Sequence, residues 1–109
     1  MNPFGKIGDL GQIMKQAQKM LEDTRKVEES LAEERIEASS GGGMVKVVVT
    51  GKGEVVEIKI DPQVIDPEDV EMLEDLVVSA VREASEQATQ LKTEKMKEIT
   101  GGMGLPGIF

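Results

Sequence analysis

Residues 35–60 read RIEASSGGGMVKVVVTGKGEVVEIKI, and this stretch decides the fold. Met44 to Thr50 is dense in valine, a β-branched residue that suits a pleated, half-buried surface. Gly41, Gly42 and Gly43 precede it, and Thr50-Gly51-Lys52-Gly53-Glu54 follows, with glycines suited to tight turns at positive φ. The spacing predicts three short strands near 35–40, 43–50 and 54–60, joined as an antiparallel meander. In the last, Val56, Ile58 and Ile60 alternate with Glu57 and Lys59, which gives one dry face and one wet face. In the middle strand Val45, Val47 and Val49 share one side, while Lys46, Val48 and Thr50 make the other only partly polar.

The hydrophobic period changes on both sides of this stretch. Upstream, Leu10, Ile13, Ala17, Met20, Thr24, Val27 and Leu31 recur at alternating spacings of three and four, a heptad seam that predicts a helix over 10–34. Met14 and Leu21 widen the seam on one side, and Asp9 is placed to cap the start. Downstream, Asp66-Pro67-Glu68-Asp69 has the pattern of a helix start: a capping residue, proline at the first helical position, then carboxylates at the positive end of the dipole. The second seam, Val70, Leu73, Val77, Ala80, Ala84, Gln87 and Leu91, with Leu76 beside it, meets no breaker before Gly101. A helix reaching Ile99 would be roughly 50 Å long, more than the roughly 30 Å width of a small domain. Its end must project or lie on a partner. The prediction is an α+β chain with two long helical arms on a small sheet, one domain over 1–109. The ends, 1–9 and 101–109, are expected to be flexible; the apolar, glycine-rich 101–109 either docks on a neighbouring surface or stays disordered.

Composition narrows the chemistry. The 109 residues are 39% hydrophobic and 31% charged, the balance of a folded protein and too short for a second domain. Histidine and cysteine are both absent, which removes imidazole bases, thiolate nucleophiles, disulfides and the usual zinc sites. No catalytic, cofactor-binding or metal-ligating set is expected. The only aromatic residues are Phe4 and Phe109, so the core must be built from aliphatic side chains, and a thin core of this kind favours pairing with a second copy. No apolar run is long enough for a membrane span, and the beginning lacks the pattern of a signal peptide, which points to the cytoplasm.

The formal net charge of −8 opposes contact with a polyanion, but the charge is unevenly spread. Segment 61–75 holds seven acids and no base, whereas 1–26 carries five basic residues against three acids. On a helical wheel Lys15, Lys19 and Lys26 fall within about 40° of one another, opposite the apolar seam, with Arg25 to one side and Glu22 interrupting the row. Such a stripe could meet successive phosphates, with Gln12, Gln16 and Gln18 at its flanks; the same lysines could equally do no more than solvate the helix. Lys92, Lys95 and Lys97 lie on different sides of the second helix and form a positive end. The acids of 61–75 read as a helix start and lack the alternating ligands and central glycine of a calcium loop. Glu74 and Asp75 lie beyond the cap and are candidates for a polar contact across a dimer.

Several stretches taken together carry a resemblance: Met14-Lys15-Gln16-Ala17-Gln18-Lys19-Met20, Gly42-Gly43-Met44-Val45-Lys46-Val47 with Gly51, Asp61-Pro62, Met72-Leu73-Glu74-Asp75-Leu76-Val77 and Thr100-Gly101-Gly102-Met103-Gly104-Leu105-Pro106-Gly107. In order and spacing the chain resembles the YbaB/EbfC family of bacterial nucleoid-associated proteins over essentially its whole length. The resemblance implies an α-β-β-β-α protomer, a tweezer-like homodimer, a place in the cytoplasm on the nucleoid, and duplex DNA binding without catalysis, cofactor or small-molecule substrate. Phosphate contacts would then fall to Lys15, Lys19, Arg25 and Lys26, with Lys92 and Lys95 at the other arm. Ile13, Ala17, Met20, Val27, Leu31, Val70, Leu73, Leu76 and Val77 would form the core or the dimer seam. The competing expectation is a dimeric adaptor or holdase that uses Met14, Met20, Met72, Met96 and Met103 as adaptable apolar contacts and does not touch DNA.

Overall fold

The computed structural model describes residues 7–102, with side chains over 10–99. The elements run α1 (Ile7–Glu33), β1 (Arg35–Ser40), β2 (Val45–Thr50), β3 (Val55–Ile60) and α2 (Val70–Gly102), an α+β fold whose sheet is antiparallel in the order β1-β2-β3. The predicted order and type of every element hold, and the boundaries shift for local reasons. α1 begins at Ile7, so Asp9 lies inside the helix and does not cap it. β2 starts at Val45, because Gly41, Gly42 and Gly43 all take positive φ in a single 3-10 turn. α2 starts at Val70, not at Pro67: Asp69 is the cap, its Oδ1 accepting the Met72 N–H at 3.3 Å. Asp66 instead closes the preceding turn by accepting the Glu68 N–H, and Asp61 caps the short 3-10 turn Pro62–Val64 by accepting that of Gln63. The expectations for 1–6 and 103–109 lie outside the described residues.

The core is a row of valines under a row of alanines. Val45, Val47 and Val49 of β2, with Ala38 of β1, are buried against Ala80, Ala84 and Ala88 of α2, and Ile36, Leu73, Leu76, Val77 and Val81 close the edges. Alanine lets the helix axis come close to the strands, which suits a core with no ring to fill a wider gap. Ala88 takes the place the heptad pattern gave to Gln87, which is exposed: the buried spacing follows the true helical turn and slips against a strict seven-residue repeat. Ser40 Oγ donates to the Leu76 carbonyl and ties the glycine turn to the helix.

α2 covers β1 and β2 and leaves β3 bare. Ile60, Ile58 and Val55 stand opposite Val45, Val47 and Val49 and so share their face, yet they remain 37%, 43% and 49% exposed. The predicted dry face of β3 is thus uncovered in the protomer. It is also shifted: a bulge between Val48 and Val49 makes Val56 the extra residue and brings Val55 opposite Val49.

α1 is anchored to the sheet at its last turns. Leu31, fully buried, lies on the β2–β3 turn, and its carbonyl accepts the Gly51 N–H at 2.8 Å. Thr50, expected on the wetter face, is buried at this turn, its Oγ1 accepting the N–H groups of Lys52 and Glu54. A Cβ on Gly51 would fall 2.7 Å from the Leu31 oxygen and 2.9 Å from its Cδ2, so the contact needs glycine for closeness. Gly51→Ala should therefore cost roughly 1–3 kcal/mol of stability through overpacking. Gly11→Ala, on an exposed helical position with nothing within 4 Å of the new carbon, should raise stability by about 1 kcal/mol. Urea unfolding midpoints at equal protein concentration check both signs.

Candidate nucleic-acid interface

From its anchor α1 runs back alongside the last turns of α2. Met20, Asp23 and Val27 face Lys95, Glu98 and Ile99 across one shallow groove, and Lys26, Val27 and Ser30 face Leu91, Glu94 and Lys95 across the next. The helices are therefore antiparallel, and the far end of α2 rests on its own chain's α1, not in solvent. The result is a single two-helix arm on one end of the sheet, with an overall extent of 78 × 25 × 16 Å. Its radius of gyration, 21.5 Å, compares with about 13 Å for a compact chain of this length.

The predicted basic residues divide into three kinds of place on this arm. Lys15, Lys19 and Arg25 are exposed along α1, together with Gln12, Gln16 and Gln18. Lys26 is exposed too and pairs with Glu22 one turn earlier at 3.7 Å, the acid that interrupts the row. Pairs of this openness hold only weakly and yield to a competing anion. Lys19 and Lys26 also line the rims of the two grooves, so the basic row borders α2, and the pure opposition to the seam drawn on the wheel is too simple. On α2, Lys92 is exposed, whereas Lys95 turns inward. Its Nζ donates to Ser30 Oγ at 2.7 Å and pairs with Glu34 Oε1 at 3.4 Å, with only 23% of the side chain exposed. Lys95 thus fastens the arm, a role its sequence position did not announce, because Ser30 and Glu34 lie more than 60 residues away.

The apolar seam residues divide in the same way. Leu31 is buried, and Met20, Val27, Leu73, Leu76 and Val77 are half-buried, while Ile13, Ala17 and Val70 are exposed. Glu74 and Asp75 are exposed as well. Among the described residues no cluster of three or more acidic groups is placed to hold a metal ion, and no helix is long and apolar enough to cross a membrane.

Comparison with known proteins places this architecture. The YbaB/EbfC DNA-binding family matches residues 6–103. A nucleoid-associated protein of Ruminiclostridium cellulolyticum is 52% identical over 103 residues, covering 94% of this chain and 90% of the relative. One from Alkaliphilus metalliredigens is 48% identical over 106 residues, covering 97% and 93%. The crystal structure of an uncharacterized protein from Helicobacter pylori superposes with a TM-score of 0.63 at 27% identity, over 72% of this chain and 90% of that one. By its sequence over nearly its whole length, and by the fold that carries it, this chain belongs to the YbaB/EbfC DNA-binding family.

Proposed function

We propose that this protein is a nucleoid-associated DNA-binding protein that acts as a homodimer and grips duplex DNA, mostly through phosphates, with the basic residues of its helical arms. The observation that carries this reading is the row Lys15, Lys19, Arg25 and Lys26, exposed on a helix that reaches well beyond the sheet. The seven acids of 61–75 belong to the other end of the fold, where Asp61, Asp66 and Asp69 cap turns and the start of α2. Local charge, not the total of −8, is what a phosphate at the arm would meet within a Debye length of about 8–10 Å. The names of the relatives, nucleoid-associated proteins, support the same assignment and a location on the bacterial nucleoid. Lys92 is a secondary contact on α2, and Lys95 reaches a phosphate only by giving up Ser30 and Glu34.

The homodimer rests on the bare strand. Val55, Ile58 and Ile60 continue the core face of β2 without a cover. An apolar strip of this kind, contiguous with the core, is a place for a second protomer. Two copies joined there would present two arms, and each basic residue would be doubled by the two-fold axis.

Both parts are open to direct test. Fluorescence anisotropy of a labelled duplex should show log affinity falling steeply with log salt, each phosphate contact contributing about 0.9 to the slope. Lys15→Glu with Lys19→Glu removes four contacts from a dimer, so the slope should flatten by about 3 to 4 and binding should weaken on every sequence. Unchanged affinity and slope would remove these lysines from the interface; no binding of the duplex even at low salt would favour the adaptor reading, in which the chain does not touch DNA. Separately, Ile58→Glu should halve the mass measured by light scattering, because it puts a carboxylate into the proposed contact at a position that is 43% exposed in the protomer. A mass unchanged by Ile58→Glu would move the dimer surface elsewhere.

A further inference from the structure

The arm changes width along its length. Among the described side chains, all those from Leu10 to Lys19 are exposed, and the first half-buried one is Met20, where Ile99 of α2 lies alongside. From there the arm is two helices side by side, about 20 Å across, whereas a lone helix with its side chains measures about 10–12 Å. The major groove of a DNA duplex is about 12 Å wide, so the single-helix part fits it and the paired part does not. The chemistry changes at the same place. The acids of α1 are Asp9, Glu22, Asp23, Glu28, Glu29 and Glu33, so residues 10–21 hold none. Lys15, Lys19 and three glutamines stand there instead. Gln12, Lys15, Gln16 and Lys19 share one face about 100° wide, and Gln18 points about 120–160° away from the other two amides. Among the described residues no hydrogen bond or ion pair engages the side chains of that face.

We propose that this single-helix part of α1 enters the major groove and that Gln12 and Gln16 read adenine edges there, while Lys15 and Lys19 hold phosphates at the rim. The inference rests on the DNA-binding reading above and adds a base preference to it. A carboxamide carries a donor and an acceptor side by side, which matches adenine: its N–H donates to N7 and its oxygen accepts from the N6 amino group. The two amides are one helical turn apart, about 6 Å along the axis, close to two base steps of about 3.4 Å. A carboxylate on this face would meet the phosphates of both groove walls, and none stands there. Glu22 and Asp23 begin where the second helix already keeps the arm out of the groove.

The test uses the full chain and separates preference from affinity. From a pool of duplexes with a randomised centre, the wild-type protein should enrich sequences that carry adenines about two steps apart. Gln12→Ala with Gln16→Ala should bind the enriched duplex roughly tenfold more weakly, or weaker still, and bind unselected duplex as before with the same salt slope. Both positions are exposed on a helix and alanine favours helix, so the variant keeps its fold. Gln18→Ala, on another side of α1, should keep the preference. Replacing the enriched adenines with 7-deazaadenine, which lacks the N7 acceptor and still pairs with thymine, should weaken wild-type binding and leave that of the double variant unchanged. No enrichment over the pool, or a preference that survives the loss of both amides, overturns the proposal, and a steep salt dependence in either case leaves the phosphate grip standing. No binding of any duplex at low salt overturns this proposal and the DNA-binding reading together.

Discussion

One helix is narrower than three strands, and the rest of the structure follows from that mismatch. Neighbouring strands lie about 4.8 Å apart and a helix with its side chains is about 10–12 Å across, so a single helix shields two strands and leaves the third. α2 settles over β1 and β2, where Ala80, Ala84 and Ala88 meet Ala38 and the valines of β2. β3 inherits a face made for burial and has nothing from its own chain to bury it. The protomer is therefore complete as a fold and incomplete as a surface. The proposed homodimer answers that condition, because the same apolar strip is presented by both copies.

The second consequence concerns the arm. α2 takes the apolar face of the sheet and the opposite face carries the exposed Glu37, Lys46, Glu57 and Lys59, so α1 does not lie on the sheet and is held at its last turns, by Leu31 on Gly51 and by the reach of Lys95 to Ser30 and Glu34. The turns of α1 from Ile7 to Lys19 extend away from the core. An amphipathic helix in that position has two useful sides, a basic one open to a polyanion and an apolar one that needs cover. The acidic total of the chain does not contradict this arrangement. Seven of the 21 acids lie in 61–75, where Asp61, Asp66 and Asp69 satisfy backbone N–H groups at turns and at the start of α2. α1 carries six acids of its own beside its four basic residues, so it is the row of lysines and not the charge of the whole helix that would meet a phosphate. The lysines of α1 have no such duty and are spread along one flank of the arm.

What the sequence made legible was decided locally. The switch from helical spacing to valine alternation near residue 35, the glycines of both hairpins and the length of the helices depend on neighbours in sequence, and each reappears in the fold. What stayed hidden depends on distance in the chain. The alternation in β3 is the same whether a helix or a second copy covers it, so the pattern promised a dry face without saying what dries it. The bulge at Val56 leaves no mark of its own in a run of β-branched residues. Lys95 looked like one of three scattered charges and became a fastening only through partners more than 60 residues away. Proline at 67 favoured an early helix start, but Asp66 spent its side chain on the turn and Asp69 took the cap. Among the basic residues, sequence could place Lys15, Lys19 and Lys26 on one flank of α1, and only the position of α2 shows that the flank borders the groove.

The composition of the core links stability to association. Valine and alanine bury little area per residue beside leucine or phenylalanine, and the fully buried large side chains are Leu31, Val45, Val47 and Val49 alone among the described residues. A sheet of three strands under one helix is near the lower limit of what such burial can hold against the entropy of ordering the chain. Covering Val55, Ile58 and Ile60 would then add a large fraction of the apolar burial available to the sheet. In the proposed homodimer, folding and pairing therefore become one equilibrium, and unfolding midpoints rise with protein concentration. The arms contribute little to that equilibrium, because most of their length touches no core. Sequence at the arms is consequently free to answer to the ligand, while sequence at the sheet must answer to the partner copy.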